Sequence, residues 1–423
     1  MAKSSAAKLA INGGPKVVPD GTVKTWPPID DIDRKMVLAS LESPSHTFGP
    51  NAKAFQEEFA AWNGNKFAIT TNSGTAALHM GLVACDVGCG DEVIVTSYSW
   101  SSSATCILHH NAIPVFVDLN WDTMLMDEDK IEAAITPKTK AILAVHLHGL
   151  PVNMQKVMAV AKRHNLKVVE DACQAHGAKV QGQKVGAIGH CGAFSFNQNK
   201  CLCSGEGGMF VTNDEELLKK AAQLWSFGET RTPLESRDYH AYALGWMYRN
   251  NDLTAAFGRA QLTKLDGYMK TLKTNAQALT DALKGTPHLI LPSEYPGAEH
   301  NWYNYTVRFD MKALGHEHDA SAFRDKIVNA MKAEGVQTGV WQKFILPAMT
   351  VFQAKNGYGQ GCPWSCAHAR PVSYDLKQFP IAQKHTDQHT GMTMPLRAPN
   401  GPEVARITAA GMRKVMENLD QIK

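Results

Sequence analysis

The chain reads as an α/β protein with a large lobe built on a mainly parallel sheet between helices and a smaller C-terminal α/β lobe. Three observations carry this. From about residue 66 to 213, short apolar β-rich runs alternate with segments of helical period, the pattern of strands joined through covering helices. These runs do not alternate apolar with polar residues, as in strands buried on both faces. Past about residue 285 the pattern changes to one period-two strand and two amphipathic helices.

Taken in order, strands are expected at Glu92 to Val95, Ile113 to Val117, Ala141 to Leu147, Lys167 to Glu170, Ala193 to Phe196 and Met209 to Val211. Met154, Val157, Met158 and Ala161 recur at i, i+3, i+4, i+7 after Asn153, which predicts a capped covering helix. A second helix follows Asn213, with Leu217, Leu218, Ala221, Leu224 and Trp225 as its apolar stripe, and one long helical stretch is expected from Asp252 to Leu283. Leu291 to Gly297, rich in Pro, Gly and Ser, reads as a loop. The small lobe then holds a strand at Tyr303 to Phe309, a helix with Phe323, Ile327, Ala330 and Met331 on one face, and a last helix opening at Pro402 with Val404, Ile407, Gly411 and Val415. The expected partition is an N-terminal arm at 1–30, a large domain at 31–285 and a small domain at 286–423.

With 423 residues, 44% hydrophobic and 20% charged, the chain is long enough for a large core plus a second lobe. A formal net charge of +3 without a basic stripe argues against nucleic-acid or membrane surfaces as partners and toward small molecules. No signal-peptide-length apolar segment opens the sequence and no run of about 18 apolar residues occurs in it, so a cytoplasmic location is expected. Nine cysteines, an odd number partly inside apolar strand patterns, point to free thiols rather than a disulfide framework.

Two residues point to chemistry. Asp171 ends an apolar strand-like run, where ligands of open α/β sheets bind, and Lys200 closes Phe194-Ser195-Phe196-Asn197-Gln198-Asn199-Lys200 just before the turn Gly205-Glu206-Gly207-Gly208. A carboxylate for a pyridinium nitrogen and a lysine for a Schiff base are the two groups a pyridoxal phosphate enzyme supplies. Thr71-Asn72-Ser73-Gly74-Thr75 precedes an amphipathic helix, so the free amides and hydroxyls at Gly74 and Thr75 favour a phosphate. Taken singly, each has a plain alternative: an N-cap, a turn aspartate, a surface lysine. Their order, with Ser195 available for a further phosphate contact, is more specific than any member.

With these motifs the sequence resembles the DegT/StrS-type sugar aminotransferases, which are fold-type I pyridoxal phosphate enzymes. The resemblance spans Thr47-Phe48-Gly49-Pro50, Ser73 to Leu78, Gly90 to Val95, Val145 to Gly149, Glu170-Asp171-Ala172, Phe194 to Lys200, Gly205 to Gly208 and Ala255 to Leu262. It implies a fold-type I PLP-dependent transferase with a seven-stranded sheet, an internal aldimine on Lys200, a pyridinium partner at Asp171 and a phosphate cup of Gly74, Thr75 and Ser195. It further implies that Trp100 stacks on the cofactor ring and that Gln174 bonds near its 3-hydroxyl, with Tyr98 and His176 just behind. The family pattern Gly-x-Asn-Tyr-Arg stands here as Gly245-Trp246-Met247-Tyr248-Arg249. Met247 cannot donate to phosphate, which leaves Arg249, Asn250 or Asn251 for the contact to the neighbouring subunit of the implied homodimer.

The function implied is ping-pong transfer of an amino group from glutamate or glutamine to a keto sugar, nucleotide-linked or not, or to a cyclitol ketone, with pyridoxamine phosphate as the intermediate cofactor form. A sugar dehydratase of the same fold carries histidine where this chain has Lys200, and a non-catalytic regulatory relative has no need of Lys200, Asp171 and the phosphate residues together. The acceptor pocket is expected from residues 229–242 and 342–370 with Trp341 and Trp364; Arg249 and Arg397 are candidates for a carboxylate. Cys362, Cys366, His385 and His389 formally offer two thiols and two imidazoles, but the spacing does not fit a zinc finger, and no metal is expected.

Overall fold

A computed structural model describes residues 7–231 and 237–422. Seven strands form the central sheet: β1 (Phe67–Thr71), β2 (Glu92–Thr96), β3 (Ile113–Val117), β4 (Thr139–Val145), β5 (Lys167–Asp171), β6 (Cys191–Ser195) and β7 (Gly208–Thr212). Their order is β1-β7-β6-β5-β4-β2-β3. Only β7 runs against its neighbours, pairing antiparallel with both β1 and β6; the other pairs are parallel. All five residues of β2 and of β6 are buried, and their interiors, Val93-Ile94-Val95 and Gly192-Ala193-Phe194, do not alternate with polar residues, as expected of strands covered on both faces.

β1 has no counterpart among the expected strands, because Phe67-Ala68-Ile69-Thr70-Thr71 ends in two threonines and gives only a short apolar run. Helix Met154–Arg163 forms where expected, and Asn153 Oδ1 accepts from Lys156 N at its start. The helix expected after Asn213 forms as Glu215–Trp225 and is capped by Asp214, while Asn213 Oδ1 accepts from Lys66 N at 2.8 Å. The single long helix expected from Asp252 divides into Asp252–Leu262 and Leu265–Leu283. At the break, the Thr263 hydroxyl donates to the Ala260 carbonyl and Lys264 turns back to ion-pair with Asp30 and Asp33.

In the C-terminal lobe Leu289–Ile290, Tyr305–Phe309 and His389–Met392 form a three-stranded antiparallel sheet. Tyr305–Phe309 is buried at every position, so its polar residues are interior rather than on a solvent face. Helices Ala320–Ala333 and Pro402–Met416 complete this lobe, and helix Leu265–Leu283 packs along Pro402–Met416. Among the described residues no helix is long and apolar enough to cross a membrane.

Candidate active site

The carboxyl ends of the parallel strands open into a cavity of about 340 Å3 whose lining includes Gly74, Thr75, Trp100, Asp171, Gln174, Ser195 and Lys200. Sequence positions spread over more than a hundred residues thus meet where the topology places ligands in this class of sheet.

Each arrives by a short path. β1 passes through Asn72-Ser73 directly into helix Gly74–Ala84, where Ser73 Oγ caps Ala76 N at 3.2 Å. The first amides of that helix have no intrahelical acceptor and carry its positive end. Thr75 Oγ1 donates to Ser102 Oγ at 2.8 Å. A Cβ on Gly74 would stand 2.7 Å from Ser195 Cβ, so glycine lets the helix start close against the end of β6. Helix amides and the hydroxyls of Thr75 and Ser195 therefore converge on one corner of the cavity, an arrangement of donors that can hold an anion such as a phosphate.

Asp171 ends β5 and is nearly buried. Ser103 Oγ donates to its Oδ2 at 2.7 Å and Cys173 N to its Oδ1 at 3.2 Å; Ser99 in turn bonds Ser103 at 2.8 Å. The Cys173 and Cys106 thiols nearby are pushed well up, first by burial and then by the Asp171 charge. Lys200 sits on a turn closed by its own N–H to the Asn197 carbonyl at 2.8 Å, its Nζ lying 5.0 Å from the centre of the Tyr303 ring. The two carbonyls before it are held from outside: Gln198 O accepts from Trp26 Nε1 at 3.1 Å, and Asn199 O accepts from Arg397.

Trp100 is 53% exposed at the mouth of the cavity, facing Trp341 at 6.4 Å between ring centres. Gln174 reaches the cavity wall, and its Oε1 accepts from His148 N at 2.7 Å. His176 lies behind, fully buried beside Phe194 and Phe196; burial, helped by Lys200, pushes it down to about 3. Tyr98 is buried too, with its hydroxyl 3.1 Å from His389 Nε2. Neither lines the cavity.

The sequence reading missed Ser103, Tyr303, Ser99 and Asn199. The run Ser97 to Ser103 around Trp100 was a usable signal for the serines; nothing local marks Tyr303. Of the expected acceptor segments, Trp341 reaches the cavity, whereas the described residues of 229–242 and Trp364 do not; Trp364 donates to the Tyr374 hydroxyl instead. Residues 232–236 lie outside the described residues.

Arg249, Asn250 and Asn251 do not line this cavity. Asn250 Oδ1 accepts from Thr254 Oγ1 at 2.6 Å, Asn251 caps helix Asp252–Leu262 through Thr254 N, and Arg249 lies over the Phe227 ring. Met247 is 50% exposed. Cys362 and Cys366 sit on a loop beside Cys89, whereas His385 and His389 stack on each other around Tyr98. Among the described residues no group of three or more His, Cys, Asp or Glu is placed to hold a metal ion.

A mainly parallel sheet with a helix N-terminus, a carboxylate and a lysine gathered at its carboxyl edge is the architecture of fold-type I pyridoxal phosphate enzymes. The comparisons narrow this further: the chain belongs to the DegT/DnrJ/EryC1/StrS aminotransferase family, whose pattern matches residues 27–390. It is 38% identical over 304 residues to the spore coat polysaccharide biosynthesis protein SpsC of Bacillus subtilis, covering 70% of this chain and 77% of that protein. To the GDP-perosamine synthase of Caulobacter vibrioides it is 37% identical over 319 residues, covering 74% and 82%. Among solved structures it matches an aminotransferase from Psychrobacter cryohalolentis at 30% identity, TM-score 0.80 and coverage of 94% and 100%. It also matches S. venezuelae DesV in complex with a ketimine intermediate at 28% identity, TM-score 0.78 and coverage of 91% and 94%. The protein is accordingly a PLP-dependent aminotransferase.

Proposed function

We propose that the protein moves an amino group from glutamate or glutamine to the carbonyl of a keto sugar or cyclitol, in two half-reactions at one site. The observation that carries this is the meeting of Lys200, Asp171 and the Gly74–Thr75–Ser195 corner in one cavity. When bound there, the cofactor supplies an electron sink and a transient carrier for the amino group. Gly74, Thr75 and Ser195 would hold its phosphate, Trp100 would cover the ring, Asp171 would keep the ring nitrogen protonated, and Gln174 would meet the ring's hydroxyl. Lys200, once free, would carry the proton away from the donor Cα and return it on the acceptor side.

Two relatives support the acceptor class. GDP-perosamine synthase acts with a nucleotide-linked sugar by its name. A putative L-glutamine:3-amino-2,3-dideoxy-scyllo-inosose aminotransferase of Micromonospora echinospora, 34% identical over 338 residues, points to cyclitols and to glutamine. A cytoplasmic homodimer is part of the same reading, supported by the exposed apolar residues Phe227, Tyr239, Tyr242, Leu244 and Met247. The partition into 1–30, 31–285 and 286–423 belongs to it too and is tested by limited proteolysis.

The test is the visible spectrum of the purified protein before and after glutamate, then glutamine, with Lys200→Ala alongside. Conversion of the lysine-bound cofactor band to the pyridoxamine form by one donor, and its absence in Lys200→Ala, is expected. A band that neither donor shifts would sink the transaminase reading. Light scattering of the same sample distinguishes a dimer from a monomer.

A further inference from the structure

At the opposite end of the sheet from the cavity, the turn Gly88–Asp91 leading into β2 meets the loop that carries Cys362 and Cys366. The Sγ atoms of Cys89 and Cys366 stand 3.0 Å apart, 277 residues from each other in sequence. We propose that Cys89 and Cys366 form a redox pair that is converted to a disulfide by low-molecular-weight disulfides or peroxides.

Three features hold the two sulfurs together. Arg370 Nε, four residues beyond Cys366, donates to Glu92 Oε1 at 2.8 Å, and Glu92 is fully buried at the start of β2. Gly90, next to Cys89, has φ +81°, and a Cβ there would stand 2.6 Å from the His368 carbonyl oxygen, so only glycine allows the loop this close. The turn is closed by Gly88 N on Asp91 Oδ2 at 2.9 Å and by Gly90 N on the Asn111 carbonyl at 3.0 Å. The sulfurs need to approach by only about 1 Å to reach the bonded distance.

The pair is also chemically unequal and accessible. Cys366 is held below the usual thiol range, chiefly by its hydrogen bond with the Cys89 thiol and then by the His368 amide. Cys89 is pushed up to about 11, chiefly by that same bond. With the His368 amide beside the Cys366 sulfur and the Asp91 carboxylate near Cys89, we take Cys366 as the attacking thiolate and Cys89 as the resolving thiol. Cys89 is exposed and Cys366 partly so, whereas the other close pair, Cys85 and Cys191 at 3.9 Å, is fully buried and closed to reagents.

With a disulfide RSSR, the Cys366 thiolate attacks one sulfur, forms a mixed disulfide and expels RS⁻. Cys89 then attacks the Cys366 sulfur, its proton passes to the second leaving group, and RSH departs. With hydrogen peroxide, the first step leaves a sulfenic acid on Cys366 and releases hydroxide, and condensation with Cys89 releases water. In both cases two thiols are oxidised and the reagent takes up the two electrons.

The test equilibrates the full chain with bound cofactor in glutathione buffers of increasing oxidised fraction, followed by acid quenching, alkylation and peptide mass spectrometry. The expected result is loss of two of the nine thiols and a peptide joining Cys89 to Cys366. Cys362→Ser should leave that peptide intact, Cys366→Ser should remove it, and Cys89→Ser should trap glutathione on Cys366. Nine retained thiols in the most oxidising buffer, or a Cys362–Cys366 link in its place, would overturn the proposal. The map of the unmutated chain decides this even where a variant fails to fold.

Discussion

Glu170 and Asp171 are adjacent carboxylates at the end of one strand, and they face opposite sides of the sheet. Glu170 is fully buried and its oxygens are filled: Gly186 N, Ile188 N and Gly189 N donate at 2.8, 2.8 and 2.6 Å, and His146 Nε2 stands at 3.0 Å. His146 Nδ1 accepts from Val152 N at 3.1 Å, which assigns the ring proton to Nε2, so the imidazole donates to the carboxylate. Asp171 has two donors, Ser103 and Cys173, and its remaining side looks into the cavity. A carboxylate saturated by backbone amides closes a loop onto a sheet; one left part-satisfied at a cavity wall has capacity to spare for a ligand. Alternation of side chains along a strand delivers both from two consecutive residues.

The contrast breaks most sharply on the cavity side. Lys200→Ala should lower transamination by at least ~10²–10⁴-fold while leaving the urea midpoint nearly unchanged, read by steady-state assay and denaturation together. Asp171→Asn, which keeps shape and removes charge, should cost ~10²–10³-fold in turnover; turnover unchanged would mean that Asp171 is as structural as its neighbour. On the other face, Glu170→Ala should leave buried amides without acceptors and destabilise the fold by about 3 kcal/mol or more, seen as a lower urea midpoint, with activity per folded molecule retained.

Acid sharpens the comparison further. His176 behind the lysine is held down to about 3, and His79 and His300 also to about 3, in each case first by burial. An unfolded histidine titrates near ~6.5, so the unfolded chain binds more protons between these values. The stability they contribute is present above ~6.5 and is lost as pH falls from there toward 3. Melting temperature followed from pH 7 to 4 should therefore decline in Asp171→Asn as it does in the parent chain; a flat profile would refute the assignment of these rings as neutral. Ser103→Ala is the mildest change, with a loss of about 1 kcal/mol in transition-state stabilisation, a few-fold in kcat, if Asp171 is oriented through that hydroxyl.

What the sequence disclosed follows the same division. The buried strands were legible because their interior runs, such as Val93-Ile94-Val95 and Ile142-Leu143-Ala144, are apolar on both faces, and β1 was not because Thr70 and Thr71 interrupt that signal while being buried all the same. Of the cavity-lining residues, Gly74, Thr75, Asp171 and Ser195 sit at a helix start or strand end that periodicity locates, and Lys200 was singled out by the run that follows Ser195 and the glycine turn after it. Tyr303 and Ser103 were not, since their place depends on how distant segments pack against the strand ends. The split after Leu262 carries no local mark, and the partners that hold Lys264 at the break, Asp30 and Asp33, lie far earlier in the chain. The pairing of Cys89 with Cys366 is long-range in the same sense, and two cysteines that far apart carry no local mark of each other.

The clasp on the lysine turn also bears on the order in which the molecule assembles. Gln198 O is held by Trp26 and Asn199 O by Arg397, the latter 198 residues downstream. During synthesis the central sheet has all its strands once Thr212 has emerged, yet the turn bearing Lys200 still lacks one of its two outside ties until Arg397 follows. The nascent chain is thus expected to build its scaffold early and to fix its amine late, as contacts of large sequence separation form after local ones.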